Sequence, residues 1–132
     1  MEAKRILLAE DEPSIVAPLQ YLLERAGFVV EIHGNGEDAL DAALSAPPDV
    51  MVLDVMLPGL DGFAVLRHLR ADPRGSGVRV LMLTAKGQRE DRERALDAGA
   101  DIFITKPFAN ADLIDAVFQL SGTTQDAATG NG

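Results

Sequence analysis

The chain has 132 residues, 47% of them hydrophobic and 25% charged, with a formal net charge of −9 and no cysteine. That composition describes one soluble globular domain with room for one good core. It excludes a disulfide scaffold, thiol chemistry and a membrane-spanning run, and the acidic balance argues against a grip on nucleic acid, which takes clustered Lys and Arg.

Taken in chain order, short β-like runs alternate with helix-like segments. Met1-Glu2-Ala3-Lys4-Arg5 leads into a strand, Ile6–Ala9, and does not read as a signal peptide. With no cysteine, a reducing, cytoplasmic setting is expected. Ile15, Val16, Leu19, Leu22, Leu23 and Ala26 are spaced for one helix face, with Ser14 as N-cap and Gly27 as C-cap. Pro18 costs that helix one backbone bond. Phe28–Ile32 is a second strand. A helix over Glu37–Leu44 turns Ala39, Leu40, Ala43 and Leu44 inward and stops at Pro47-Pro48.

Val50–Leu53 is a third strand, apolar enough to be buried on both faces, and Asp54 stands at its end before Pro58-Gly59. A helix over Phe63–Ala71 turns in Phe63, Leu66 and Leu69, with Gly75-Ser76-Gly77 as the loop after it. Val80–Leu83 is a fourth strand ending in Thr84. The next helix, Arg89–Ala98, has no large apolar residue in its first two turns. Glu90 and Arg94 are placed to pair there at i, i+4, and Gly99 caps the end. A fifth strand, Ile102–Ile104, leads to Lys106-Pro107, and a last helix, Ala111–Leu120, offers Leu113, Ile114, Val117 and Leu120. Ser121–Gly132 has no apolar periodicity and is expected as a disordered tail after a domain over residues 1–120.

Five βα units in series imply a doubly wound α/β fold: a five-stranded parallel sheet between two layers of helices, joined by right-handed crossovers. Ligand sites in such sheets lie outside the carboxyl ends of the strands. That rule brings Glu10, Asp11, Asp54, Thr84 and Lys106 together. Converging carboxylates with no His or Cys favour Mg²⁺ over Zn²⁺. Lys106 would neutralise a bound phosphate as a point charge, Thr84 would donate to a phosphoryl oxygen, and Asp54 is a possible nucleophile.

Each residue also has a plainer reading. Glu10-Asp11-Glu12 could be a solvated loop with an acidic helix start, Asp54 a turn cap, Lys106 a surface lysine, Thr84 a strand-end β-former and Phe103 ordinary core. Lys86, followed by Gly87, reads as a solvated loop residue. Joint placement at four strand ends is what favours a composite site for the acids, Thr84 and Lys106.

The chain resembles the receiver domain of two-component response regulators, including the chemotaxis regulators. The resemblance is carried by Leu8-Ala9-Glu10-Asp11-Glu12, by Val52-Leu53-Asp54-Val55-Met56-Leu57-Pro58-Gly59-Leu60-Asp61-Gly62, by Leu83-Thr84-Ala85-Lys86, and by Ala98-Gly99-Ala100-Asp101 through Thr105-Lys106-Pro107-Phe108. It runs from about Lys4 to Leu120 in the family's order and spacing. It implies a flavodoxin-like (βα)5 sandwich with strand order 2-1-3-4-5. Asp54 is then the phosphoacceptor for a histidine kinase or phosphotransfer protein. Mg²⁺ is held by Glu10 (mainly through water), Asp11, Asp54 and the Met56 backbone carbonyl. Thr84 and Lys106 bind the phosphoryl group, Thr84 and Phe103 form the switch, and the Lys106–Pro107 peptide is cis.

The family more often has Asp where this chain has Glu10, and frequently Tyr where it has Phe103. Dimerising receivers of winged-helix transcription factors use a basic residue on the last helix. Asp97 and Asp101 are present here, but Ala109–Leu120 contains no Lys or Arg, so a monomer or a weak phosphorylation-dependent dimer is expected. The resemblance implies a switch acting on a downstream protein or output domain, and not an enzyme. Two rivals differ in class. A Mg²⁺-dependent phosphatase of the haloacid dehalogenase type wants an acid two residues after the nucleophile, where this chain has Met56. A degenerate receiver working without phosphorylation would not need Glu10, Asp11, Asp54, Thr84 and Lys106.

Overall fold

The computed structural model describes residues 3–85 and 89–123. In chain order the elements are β1 (Arg5–Ala9), α1 (Pro13–Arg25), β2 (Val29–His33), α2 (Gly36–Ser45), β3 (Val50–Asp54), α3 (Gly62–Ala71), β4 (Arg79–Thr84), α4 (Arg89–Asp97), β5 (Ile102–Thr105) and α5 (Asn110–Ser121). The strands form one parallel sheet in the order β2-β1-β3-β4-β5. Every expected strand and helix is present, and most boundaries move by one residue. The last helix also runs one residue further, through a buried Ser121, and closes on Gly122 at φ +77. The stretch expected as a tail therefore begins inside the helix; its residues 124–132 lie outside the described residues, as does Lys86.

Why the sheet is parallel and central is legible in its middle strands. All of β3 is buried, and so are five of the six residues of β4, Val80 through Thr84. Alternate side chains then serve two cores. Leu7, Met51, Leu53, Val80 and Met82 face α2, α3 and α4, joined by Phe63, Leu66, Leu69 and Ala95. Ile6, Leu8, Val50, Val52, Leu81 and Leu83 face α1 and α5, joined by Leu19, Leu23, Leu113, Val117 and Phe118. Burying one such Leu contributes about 1.5–3 kcal/mol, so the sheet's centre is the most firmly held part of the chain.

The helix ends follow local chemistry, with two corrections to the sequence reading. Ser14 does not cap α1. Pro13 takes the first helical position and Glu12 precedes it without a side-chain cap, because proline's missing N–H is one the helix start would leave unpaired anyway. Ser14 Oγ instead donates to Glu12 Oε2 at 2.9 Å. Nor do Glu90 and Arg94 form an ion pair among the described residues; the Arg94 guanidinium lies 4.1 Å from the centre of the Phe63 ring. Gly27 follows the α1 cap at φ +101 and Gly99 ends α4 at φ +106, each in the left-handed turn that glycine adopts without a Cβ penalty.

α4 is the most weakly embedded helix. Of its described side chains Ala95 is buried, while Leu96 is 45% exposed. Its C-terminal end is held by Arg70, whose Nε and Nη2 donate to the Gly99 carbonyl at 3.0 and 2.9 Å. The same guanidinium donates to the carbonyls of Val78 (2.6 Å) and Gly75 (3.2 Å) and pairs with Asp101 (3.2 Å).

Candidate functional site

At the carboxyl end of the sheet the strands deliver the expected groups to one place. β1 runs into Glu10 and Asp11, β3 ends at Asp54, β4 ends at Thr84, and Lys106 follows β5. The register fixes these positions: Asp54 lies level with Leu83, and Thr84 with Thr105. Past the paired region, Val55 N–H donates to Leu83 O at 2.9 Å and Lys106 N–H donates to Thr84 O at 2.7 Å. These bonds carry both chains over the sheet edge in step. The Lys106–Pro107 peptide is cis, as the resemblance implied.

Glu10 and Asp54 are 1% and 3% exposed, although each is a carboxylate. Burial of that kind needs compensation, and the Lys106 ammonium supplies part of it. Its Nζ donates to Asp54 Oδ2 at 3.2 Å and lies 3.1 Å from Glu10 Oε1. The second contact is charge without hydrogen-bond geometry, so Glu10 Oε1 is buried with no hydrogen-bond donor among the described residues. Glu10 Oε2 accepts from the backbone N–H groups of Asp11 and Glu12, each at 3.2 Å. Asp54 Oδ1 accepts from Met56 N–H at 3.2 Å.

The electrostatics follow from this crowding. Burial, and then the negative charge of Asp54, push the Glu10 carboxyl up to about 7, against the opposing pull of Lys106. Burial works against the charge on Lys106 too, but the carboxylates of Asp54 and Glu10 outweigh it and hold the ammonium above the ordinary lysine range.

Oxygen atoms of Glu10, Asp11 and Asp54 lie within 4.8 Å of one another, a spacing at which one cation can touch all three. The donors are hard oxygens, one of them lacks a hydrogen-bond partner among the described residues, and two buried carboxylates face one ammonium there. These residues fit a hard divalent cation such as Mg²⁺. Asp11 is exposed where Glu10 and Asp54 are buried, so the cluster opens to solvent on its side. A cleft of about 490 Å³ opens beside Lys106, between the start of α1 (Glu12, Ser14, Ile15) and the turn Pro107-Phe108.

Thr84 is 1% exposed and ends the strand beside Asp54. Phe103 is half-buried on β5 against the α2–α4 core. The Met56 side chain is 71% exposed on the loop after β3. The structure places Glu10, Asp11, Asp54 and Lys106 together and ends the neighbouring strand at Thr84, where the strand-end rule expected them. Sequence reasoning missed Arg70, whose carbonyl contacts come from parts of the chain that no local motif connects.

Comparison with known proteins agrees with this geometry. The family described as the response regulator receiver domain matches residues 6–118, and the chain belongs to it. It is therefore a receiver domain of two-component signalling. Among curated relatives it is 48% identical over 106 residues to the alkaline phosphatase synthesis transcriptional regulatory protein PhoP of Bacillus subtilis, covering 80% of this chain and 43% of that protein. The chain spans about half, or less, of the length of the first curated relatives it matches.

Among solved structures it resembles the receiver domain of sensor histidine kinase PA1611 from Pseudomonas aeruginosa PAO1, which has a magnesium ion coordinated in its active site cleft. That likeness has a TM-score of 0.83 at 32% identity and covers 92% of this chain and 100% of that one. Chemotaxis protein CheY4 of Vibrio cholerae matches with a TM-score of 0.82 at 28% identity, over 90% of this chain and 99% of that one.

Proposed function

We propose that Asp54 is the phosphoacceptor of this receiver and that its charge state sets the position of α4. The observation that carries the reading is the meeting of Lys106, Asp54 and Glu10 at the sheet's carboxyl edge, with a buried carboxylate oxygen of Glu10 short of a donor among the described residues. A carboxylate oxygen of Asp54 attacks the phosphorus of a phosphohistidine on a sensor kinase or phosphotransfer protein. The P–N bond breaks and its electron pair stays with the imidazole. Lys106, already at Asp54, pairs with the transferred oxygens, and Thr84 donates a hydrogen bond from its hydroxyl to one of them. Mg²⁺, when bound by Glu10, Asp11, Asp54 and the Met56 carbonyl, offsets the charge that gathers on those oxygens.

The phosphoryl group then draws Thr84 and Lys106 inward. Phe103, half-buried on the neighbouring strand, follows, and α4 shifts. The weak embedding of α4 supports this choice of moving part, since elements with few buried contacts open at low free-energy cost. Phe103 lacks a hydroxyl, so its movement acts through packing alone. The protein is a switch that assists its own phosphorylation and dephosphorylation. With Met56 two residues beyond Asp54, the general acid that a haloacid dehalogenase-type phosphatase carries at that position is missing, which disfavours phosphatase turnover.

A sensor histidine kinase or phosphotransfer protein is the upstream partner in this reading, and the receiver meets it in the cytoplasm. The listener is a downstream protein or an output domain. The relatives named as regulators are nearly twice as long, and a net charge of −9 argues against a grip on DNA by the receiver itself. No helix among the described residues is long and apolar enough to cross a membrane. Incubation with acetyl phosphate and Mg²⁺ followed by intact mass tests the reading. One phosphate adduct, absent in Asp54→Ala, is expected. No adduct supports a module that works without phosphorylation, and steady release of phosphate from esters supports a phosphatase.

A further inference from the structure

Two glycines of the β2–α2 segment differ sharply in the space around them. A Cβ on Gly34 would meet nothing nearer than Asp11 Cβ at 3.7 Å, which is ordinary contact. A Cβ on Gly36 would strike the Leu60 carbonyl oxygen and lie 2.6 Å from its carbon and 2.8 Å from Leu60 Cβ. Those neighbours are mostly backbone and cannot rotate away. Gly36 is buried at the start of α2, and its N–H donates to the Pro58 carbonyl at 3.1 Å. The loop from Val55 to Asp61 is therefore seated directly on the first turn of α2.

The same loop is fixed at its other end. Gly62 N–H donates to Val55 O at 2.9 Å, and a Cβ on Gly62 would strike the Asp54 carbonyl oxygen. Met56 lies in the span between these two anchors, with its N–H on Asp54 Oδ1 at 3.2 Å. The peptide planes on either side of Met56 are thus set by where Pro58 and Leu60 rest on α2. Making room for one methyl at position 36 means moving Leu60, and the span must tilt with it.

We propose that Gly36 is a positioning residue for the cation site: its missing side chain seats the loop after β3, and so aims the Met56 carbonyl. This rests on the reading in which Met56 lends that carbonyl to Mg²⁺. The two cations that fit a carboxylate cluster differ in their tolerance of misplacement. Mg²⁺ demands near-octahedral geometry at short range, whereas Ca²⁺ accepts variable numbers and angles of oxygen ligands. A tilted carbonyl therefore harms Mg²⁺ binding more than Ca²⁺ binding. Mere loosening of the fold would weaken both alike.

The test titrates Mg²⁺ and Ca²⁺ separately into the full chain by calorimetry, for the parent protein, Gly36→Ala and Gly34→Ala, with metal-free melts as the check on folding. Expected are parental affinities in Gly34→Ala and, in Gly36→Ala, a Mg²⁺ affinity lower by about tenfold with a smaller loss for Ca²⁺. If Gly36→Ala does not melt cooperatively, Leu60→Ala, which thins the same seat from the half-buried side chain, takes its place with the same criterion. Equal losses for the two ions, or unchanged Mg²⁺ affinity, overturn the role of Gly36 while leaving the metal site standing. A parent protein that binds no Mg²⁺ overturns the site itself.

Discussion

Lys106 and Asp54 are joined across the sheet edge, Nζ to Oδ2 at 3.2 Å, and the same ammonium lies 3.1 Å from Glu10 Oε1. One cation thus faces two buried carboxylates from two strands. Lys106→Met removes the cation and leaves both acids in place. Breaking a buried pair from one side costs about 3–5 kcal/mol when burial is complete. Lys106 keeps some solvent contact, so a loss of about 1–3 kcal/mol is expected in urea unfolding of the metal-free protein. Unchanged stability would mean that the ammonium does not offset these charges.

Glu10 sets a pH dependence of definite sign. Its carboxyl is raised from 4.5 to about 7 in the folded chain, so between those values the folded state binds more protons than the unfolded state. Stability is then highest below the unfolded value and falls as pH rises through about 7. Thermal melts of the metal-free protein across that range should decline for the parent and flatten for Glu10→Gln. A rising profile, or one that Glu10→Gln leaves unaltered, contradicts the placement of a buried, under-compensated acid there.

Arg70 ties α3 to the loop before β4 and to the end of α4. Arg70→Ala would take the guanidinium from the carbonyls of Gly99 and Val78 and leave Asp101 with the Val80 N–H and the longer Arg79 contact at 3.8 Å. A loss of about 2–4 kcal/mol is expected, because charged hydrogen bonds contribute more than neutral ones and part-buried acceptors are left bare. Arg70→Lys should recover little, since an ammonium cannot reproduce the planar fork. Urea midpoints of the three proteins decide this.

Arg94 over Phe63 links α4 to the first turn of α3. At an exposed position such a stack contributes about 0.5–1 kcal/mol. Arg94→Ala is therefore expected to speed amide exchange in α4 several-fold while exchange in β3 and β4 is unchanged. Equal exchange in both proteins would show that the stack does not hold the helix.

The fold was readable because its signals are local. Val50–Leu53 is apolar without interruption, and Pro47-Pro48, Gly75-Ser76-Gly77 and Gly99 punctuate the chain where elements end. The acids, Thr84 and Lys106 were readable for a related reason: strand ends in a parallel sheet converge, so position along the chain becomes position in space. What escaped was contact between segments that share no motif. Arg70 reads as one more polar residue on an amphipathic helix, yet it meets Gly99 and Asp101 some thirty residues on. Gly36 reads as a helix-start glycine, and its tightness against Leu60 appears once the loop is folded back. Ser14 misled because it is a common cap, while Pro13 before it had already fixed the start of α1.

The claim that Asp54 carries the phosphoryl group is tested most directly by trapping it. After phosphorylation with acetyl phosphate and Mg²⁺, borohydride reduces an acyl phosphate to an alcohol, which converts the modified aspartate to homoserine. Peptide mass mapping is predicted to find homoserine at position 54 and at no other aspartate, with none formed when Mg²⁺ is withheld by chelation. Homoserine at another carboxylate, or a phosphate that resists borohydride on a hydroxyl residue, would contradict it.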